Sequence, residues 1–126
     1  MTRVTNRVDP ATLDTLLARP TRATLAYELD GRVQVAPVLH RWDGARHHVG
    51  VARAGDDATP ALGARASLVL DDGWSWFQLR AITVRGTLGS APDGLAQDRV
   101  DLAWYELLPA RTTAWNYGAL REEPEQ

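Results

Sequence analysis

The sequence predicts a mainly β fold built as a small antiparallel barrel, and three features carry this prediction. Two Asp-Gly dipeptides, Asp30-Gly31 and Asp43-Gly44, separate runs rich in apolar and β-branched residues, and such a dipeptide is the strongest short hairpin signal. The run 74–88 is long, and its apolar residues change phase midway, as they do at a β-bulge. A strand that bends in this way suits a closed barrel.

The chain before the first turn contains a predicted helix and a strand. Asp9 and Pro10 are residue types favoured at a helix N-cap and at the first helical position. One face of this helix carries three leucines, Leu13, Leu16 and Leu17. Pro20 ends the helix, and a strand follows over 23–29.

Further strands complete the predicted sheet. The next elements are strands over 32–42 and 45–53, a single helical turn that begins at Thr59, a strand over 66–72 and the long strand 74–88. The C-terminal part predicts two strands, 104–109 and 111–117, broken at Pro109. A length of 126 residues is typical of one domain, so we expect a single domain over 1–126 with a frayed tail over about 119–126.

The second hairpin has apolar residues on both of its faces. With Asp43 and Gly44 at the two central turn positions, His40 lies opposite His47. The remaining predicted pairs are Val38 with Val49, Ala36 with Val51, Gln34 with Arg53, and, on the other face, Leu39 with His48, Pro37 with Gly50 and Val35 with Ala52. A barrel has one interior, so the second apolar face requires a flat ligand or a partner subunit. We therefore predict a homodimer.

The composition excludes several kinds of chemistry. All 14 basic residues are arginines and there is no cysteine, so Schiff-base lysines, thiolate nucleophiles and cysteine-based zinc sites are absent. A net charge of −2 argues against a nucleic-acid partner. The sequence shows no signal peptide and no apolar run of membrane-spanning length, so we expect a cytoplasmic protein that does not bind membranes.

His40 and His47 are the candidate acid–base groups, because they are predicted to meet across the ribbon. Two histidines without a third convergent ligand make a poor zinc site, and Asp43 points away from them in this register, so we predict no metal. A hydrogen bond to a ring-shaped ligand or a proton relay is the favoured role.

Three stretches of the chain resemble a known family. The order of elements, residues 22–53, the strand ITVRGTL and the closing PARTTAWNYG look like the flavin-binding split barrels, which include the pyridoxamine 5′-phosphate oxidase-like proteins and the deazaflavin-dependent reductases. The resemblance covers roughly residues 10–118. It implies a six- or seven-stranded antiparallel split β-barrel with short flanking helices. It also implies a homodimer with two cofactor sites at the subunit interface.

The resemblance also implies where the cofactor, FMN, lies. The isoalloxazine ring would rest on the second and third strands, around Ala36, Pro37, Val38 and His40, with Val49 and Val51. Its phosphate would meet the loop after the third strand, at Arg53, Ala54 and Gly55, and Trp115 would stack on the ring.

The proposed phosphate loop departs from the pattern of the family. Members commonly have an Arg, then a Ser or Thr, then a Lys, whereas this chain has Arg53, Gly55 and Asp57 at those positions. A carboxylate about 5 Å from a phosphate charge costs on the order of 1 to 3 kcal/mol. Three functions stay open: an FMN-dependent oxidoreductase, a deazaflavin-dependent reductase, and a cofactor-free barrel that binds or converts a small molecule at the dimer interface.

Overall fold

The computed structural model describes residues 2–6, 9–53, 59–75, 78–93 and 101–116, with the backbone alone over 2–6. Its elements in chain order are β1 (Thr2–Asn6), α1 (Pro10–Ala18), β2 (Arg22–Leu29), β3 (Arg32–Pro37), β4 (Leu39–Trp42), β5 (His47–Ala52), β6 (Arg65–Asp72), β7 (Arg80–Ser90) and β8 (Leu102–Asn116). The mainly β class predicted from the sequence is confirmed.

Seven strands form one curled antiparallel sheet in the order β3-β2-β6-β7-β8-β5-β4. The seven strands confirm the predicted antiparallel architecture. The eighth strand, β1, pairs in parallel with the second half of β8, with Thr2 beside Arg111 and Asn6 beside Trp115. The sequence analysis did not predict β1.

The sheet curls because consecutive strands lie at its two opposite edges. β3 and β4 are separated only by Val38, yet β3 pairs with β2 and β4 pairs with β5. The backbone N–H of Val38 donates to the carbonyl of Ala23 at 3.0 Å, at the point where the chain passes from one edge to the other. The predicted single strand over 32–42 is therefore wrong, because the chain changes partner strands at Val38.

The helix α1 packs against the sheet as predicted. The Asp9 side chain accepts a hydrogen bond from the backbone N–H of Thr12 at 2.8 Å, and Pro10 is the first helical residue. Its three leucines, Leu13, Leu16 and Leu17, are buried in the core. The helix is nine residues long, and within the described ranges no helix has the length and apolarity needed to cross a membrane.

The second hairpin has a longer loop than predicted. Asp43 Oδ1 accepts hydrogen bonds from the backbone N–H groups of Ala45 and Arg46, at 2.9 and 2.7 Å, so residues 43–46 form the loop. His40 consequently pairs with Val49 rather than with His47. A shift of two residues leaves each side chain on its predicted face, because side chains alternate with a period of two.

The pairs predicted further along this hairpin do not form. Ala36 pairs with Leu25 of β2, and Val51 pairs with Ala103 of β8. The predicted pairing of Ala36 with Val51 is therefore wrong. The predicted pairing of Gln34 with Arg53 is also wrong, because Gln34 pairs with Tyr27. The cause is again the change of partner strand at Val38.

The long strand and its bulge also differ from prediction. β7 begins at Arg80 rather than at residue 74, and residues 76–77 lie outside the described part. The register shift occurs where Arg85 pairs with Arg111 while Gly86 pairs with Pro109, so the extra residue, Ala110, belongs to β8. β8 is one continuous strand through Pro109, because a bulge tolerates a residue without an N–H.

The predicted helical turn at Thr59 is not a helix. Residues 61–64 form a turn in which the N–H of Ala64 donates to the carbonyl of Ala61 at 3.1 Å. Gly63 has a φ of +87°, a left-handed conformation that ends any helical path and that glycine adopts at little cost.

Candidate functional site

A row of apolar side chains lies on the outer face where β3 continues into β4. Val33, Val35 and Leu39 are exposed by 70%, 67% and 40%, and Pro37 between them is exposed as well. The row alternates with residues that face the barrel interior, as a strand requires. This row is the second apolar face that the sequence predicted, and it presents an apolar surface to a flat ligand or to another subunit.

The same two strands are the edges of the sheet. Within the described ranges β3 pairs only with β2, and β4 pairs only with β5. Edge strands present unpaired N–H and C=O groups, and these can bind the polar rim of a heteroaromatic ring. The apolar row and the free edges together make a surface suited to a ring that is apolar on its face and polar on its rim.

The predicted ring contacts divide between the two faces of the sheet. Pro37 presents its side chain on the outer face, next to the apolar row. Ala36 and Val38 are half-buried on the interior side, and Val51 is 2% exposed within the core. A ring on the outer face would therefore meet the side chain of Pro37, whereas the side chains of Ala36, Val38 and Val51 lie on the other face.

Arg53 follows β5 immediately and is exposed. Its backbone N–H donates to the carbonyl of Asp101 at 2.9 Å, which fixes the chain beside the start of β8. Within the described part of the chain its guanidinium has no carboxylate partner. Ala54, Gly55 and Asp57 lie outside the described residues, so the phosphate loop itself stays a prediction.

His40 and His47 meet inside the barrel, as the sequence predicted. His40 Nε2 lies 3.0 Å from His47 Nδ1, and the His47 ring packs 4.7 Å from the ring of Trp42. Burial lowers the pKa of both imidazoles to about 4, with a further contribution from the neighbouring histidine charges. Both rings are therefore neutral at pH 7, and one of them donates to the other.

His48 lies on the opposite face of β5 and pairs with Arg41 rather than with Leu39, and its contact with Asp43 was not predicted. Its Nε2 lies 3.1 Å from Asp43 Oδ2, and this contact and two backbone N–H groups lower the pKa of Asp43 to about 2. Asp43 points away from His40 and His47, as expected, but it reaches His48. Among the described residues no group of three potential ligands could hold a metal ion.

Trp104 covers the outer face of β5 beside these residues. Its ring lies so close to Gly50 that a Cβ at that position would be 3.0 Å from the ring, and the Arg41 guanidinium lies 5.1 Å from the ring centroid. Trp104 therefore packs against Gly50, its neighbour in the pairing of β5 with β8.

Trp115 is not close to Arg53. Arg53 lies beside Asp101 at the start of β8, whereas Trp115 lies at the other end of this 15-residue strand. There Trp115 borders a cavity of about 250 Å³ together with Arg85 and Arg111. A single chain therefore does not bring the predicted ring-stacking residue to the predicted phosphate ligand.

Three solved structures have the same architecture as this chain. An FAD binding protein from Mycobacterium smegmatis matches with 17% identity and a TM-score of 0.62 over 85% of this chain and 95% of its own. A candidate pyridoxamine 5′-phosphate oxidase from Corynebacterium glutamicum matches with 13% identity and a TM-score of 0.58, over 85% and 93%. This chain has the fold of the flavin-binding split barrels.

A third solved structure extends the comparison to the whole chain. A conserved hypothetical protein from Mycobacterium tuberculosis matches with 16% identity and a TM-score of 0.66, over 100% of this chain and 95% of its own. No protein-family model matches the sequence, and no curated protein matches it. Identities this low establish the split-barrel fold, so the chemistry has to be argued from the residues of the site.

Proposed function

We propose that this split barrel binds a flavin on the outer face of β3 and β4 and transfers hydride or electrons between it and a small organic substrate. The observation that carries this proposal is the exposed apolar row formed by Val33, Val35, Pro37 and Leu39. Exposed apolar patches of this kind mark binding surfaces. The FAD-binding protein among the similar structures supports the choice of ligand class.

The residues of the chain have separate tasks in this proposal. A bound flavin supplies the redox chemistry. The apolar row excludes water from one face of the ring, and the free edges of β3 and β4 supply hydrogen bonds to its polar rim. Arg53, which has no carboxylate partner within the described ranges, binds the phosphate by charge-assisted hydrogen bonds. We propose FMN, since one arginine suits a single phosphate.

A homodimer is part of the same proposal. Trp115 can stack on the ring only if a second copy supplies it, because it lies at the opposite end of β8 from Arg53. The apolar row offers surface for such a contact beyond the area of the ring. The cofactor site would then combine β3, β4 and Arg53 of one chain with Trp115 of the other.

A cofactor-free function has one observation in its favour and one against it. A cavity of about 260 Å³ lies between α1 and the end of the barrel, and His47 and Trp42 are among its lining residues. A general base works best with a pKa close to the working pH. Because the pKa of His47 is about 4, its imidazole is a weak base at neutral pH, so we place the flavin proposal first.

The catalytic role predicted for His40 and His47 stays a prediction. Both side chains face the barrel interior, on the other side of the sheet from the apolar row. In the flavin proposal they act as positioning residues, because their hydrogen bond joins β4 to β5 beneath the ring.

A ligand titration tests this proposal. Fluorescence quenching measures the affinity of the purified protein for FMN, FAD and a deazaflavin, whose longer anionic tail requires cations beyond Arg53. We expect FMN to bind and Arg53→Ala to weaken it by about 1.5 to 3 kcal/mol, as for a charge-assisted hydrogen bond. Arg32→Ala, which removes an exposed arginine at the first position of β3, is the matched control. It should leave the affinity for FMN unchanged.

Two results would contradict the proposal. A protein that binds none of the three cofactors is not a flavoprotein. A protein that binds FMN equally well with and without the Arg53 guanidinium does not hold the phosphate at that position.

A further inference from the structure

Five residues form a polar strip on the outer face of β7 and β8, and we call it the arginine strip. Its members are Thr83, Arg85, Arg111, Thr113 and Trp115, and they line the cavity of about 250 Å³. They face one another in pairs, with Arg85 directly opposite Arg111 and Thr83 directly opposite Thr113. The strip therefore presents two guanidinium groups, then two hydroxyl groups, then an aromatic ring.

The bulge in β8 creates this strip. Before the bulge the odd-numbered residues of β8 face the core, as buried Tyr105 and Leu107 show. After the extra residue Ala110 the even-numbered residues do so, as buried Thr112 and Ala114 show. Without the bulge, Arg111 would lie opposite buried Val84 and face the core. The insertion of one residue thus turns half of the strip outward, and bulges are frequent beside functional sites.

The paired arginines have no neutralising partner among the residues that the structure describes. Like charges directly opposite each other on neighbouring strands are destabilising, and within the described part of the chain neither Arg85 nor Arg111 has a carboxylate partner. Three other arginines of the same sheet are each neutralised: Arg22 by Asp71, Arg65 by Glu28 and Arg80 by Asp72. An anion between Arg85 and Arg111 would remove the repulsion.

We propose that the arginine strip binds the phosphate group of a small phosphorylated molecule. Guanidinium groups match phosphate geometry and bind it through paired hydrogen bonds. A phosphate has enough acceptor oxygens for both Arg85 and Arg111 and for the hydroxyl groups of Thr83 and Thr113. The cavity holds the phosphate.

This site goes beyond the proposed flavin site. It lies on the second half of β8, whereas Arg53 lies beside the first residues of that strand. The affinity of Arg53→Ala for phosphate separates the two sites.

Calorimetry at low ionic strength tests the proposal with inorganic phosphate, AMP and adenosine. We expect phosphate and AMP to bind and adenosine not to bind. A tighter affinity for AMP than for phosphate would show that the ring contributes. Arg85→Ala and Arg111→Ala should each weaken AMP binding by about 10- to 100-fold, and Arg32→Ala should not change it. The variant Arg53→Ala should leave AMP binding intact.

Several outcomes would overturn the proposal. If adenosine binds as well as AMP, the phosphate group is not what the protein recognises. The same conclusion follows if Arg85→Ala and Arg111→Ala both bind AMP with the affinity of the wild type. A loss of AMP binding in Arg53→Ala would make the strip part of the flavin site rather than a separate one. A dimer that dissociates in Arg85→Ala would show that the strip faces a second copy of the chain.

Thermal stability gives a second, independent measurement. In phosphate-free buffer of low salt, Arg85→Gln should raise the melting temperature by about 1 to 4 °C, because it removes a like-charge pair. Added phosphate should stabilise the wild type and remove this advantage. A variant that melts at the same temperature as the wild type, together with a wild type that does not respond to phosphate, would contradict the proposal even if binding could not be measured.

Discussion

The hydrogen bond between His40 and His47 constrains the protonation of both side chains. At 3.0 Å one ring nitrogen must donate and the other must accept, so at least one of the two facing nitrogens carries no proton. If both rings were protonated, two N–H groups would face each other in a buried place. Burial and the neighbouring histidine charges therefore hold both pKa values at about 4.

This pair predicts a loss of stability in mild acid. Histidines of the unfolded chain take up protons below about pH 6.5, whereas the folded pair does so only near pH 4. Between these values the unfolded state binds more protons, so the free energy of unfolding falls as the pH falls. We expect a loss of about 5 kcal/mol from pH 6.5 to pH 4, since each of the two histidines contributes roughly half of it. Urea denaturation at several pH values measures it.

The double variant His40→Gln/His47→Gln serves as the control for this prediction. Its two amides can replace the hydrogen bond but do not titrate. Its stability should change less than that of the wild type between pH 6.5 and pH 4. An equal slope in the two proteins would show that other groups cause the acid dependence.

The β-bulge depends on a single glycine. A Cβ at Gly86 would lie 1.9 Å from the carbonyl oxygen of Leu108, a backbone atom that cannot move without breaking the register of β7 with β8. We expect Gly86→Ala to lower the free energy of unfolding by about 3 kcal/mol or more, as severe overpacking does. Denaturant unfolding of the variant measures this effect.

Gly89 is the matched control, because it lies on the same strand. A Cβ there would be 3.1 Å from Leu108 Cδ1, the end of a flexible side chain, so Gly89→Ala should cost about 1 kcal/mol or less. Similar losses in the two variants would show that close backbone approach at the bulge is not what fixes this register.

Elements with local signals could be predicted from the sequence, and elements set by distant pairing could not. Asp9 and Pro10 defined the start of α1 because capping depends on adjacent residues. The break at Val38 arises because barrel closure brings β2 and β5 to different parts of one apolar run, and no local residue type marks it. The loop 43–46 was missed because the Asp43 side chain makes the turn longer than the dipeptide suggests.

The residues of the candidate site also divide into those set by local signals, which could be predicted, and those set by distant pairing, which could not. The apolar outer row could be predicted because side chains alternate between the two faces of a strand. The contact of His40 with His47 was predicted in spite of a register error of two residues, because such a shift leaves each side chain on the same face. The separation of Trp115 from Arg53 could not be predicted, because it depends on which half of β8 lies beside each of them. The arginine strip depends on a bulge that the sequence placed in the wrong strand.

The whole molecule is expected to be a dimer. The row that includes Val33 and Val35 is exposed in the single chain, and only a ligand or another subunit can cover it. Size-exclusion chromatography with light scattering should give about twice the 13.9 kDa of one chain. The double variant Val33→Lys/Val35→Lys should be monomeric, because forming the dimer would bury the two lysine charges in the contact.

Leu62→Lys is the control for this substitution, because Leu62 is 63% exposed on the turn that precedes β6. It should leave the dimer intact. A wild-type mass of 13.9 kDa at micromolar concentration would refute the dimer, and an equal effect of the two variants would show that the contact lies elsewhere.

Native mass spectrometry of the gently purified protein, together with its visible absorption spectrum, tests the flavin proposal most directly. We predict a yellow protein whose mass corresponds to two chains of 13.9 kDa with one flavin bound per chain, and whose flavin mass distinguishes FMN from FAD. A colourless protein whose mass contains no flavin, and which gains no visible absorption when FMN or FAD is added, would contradict the account.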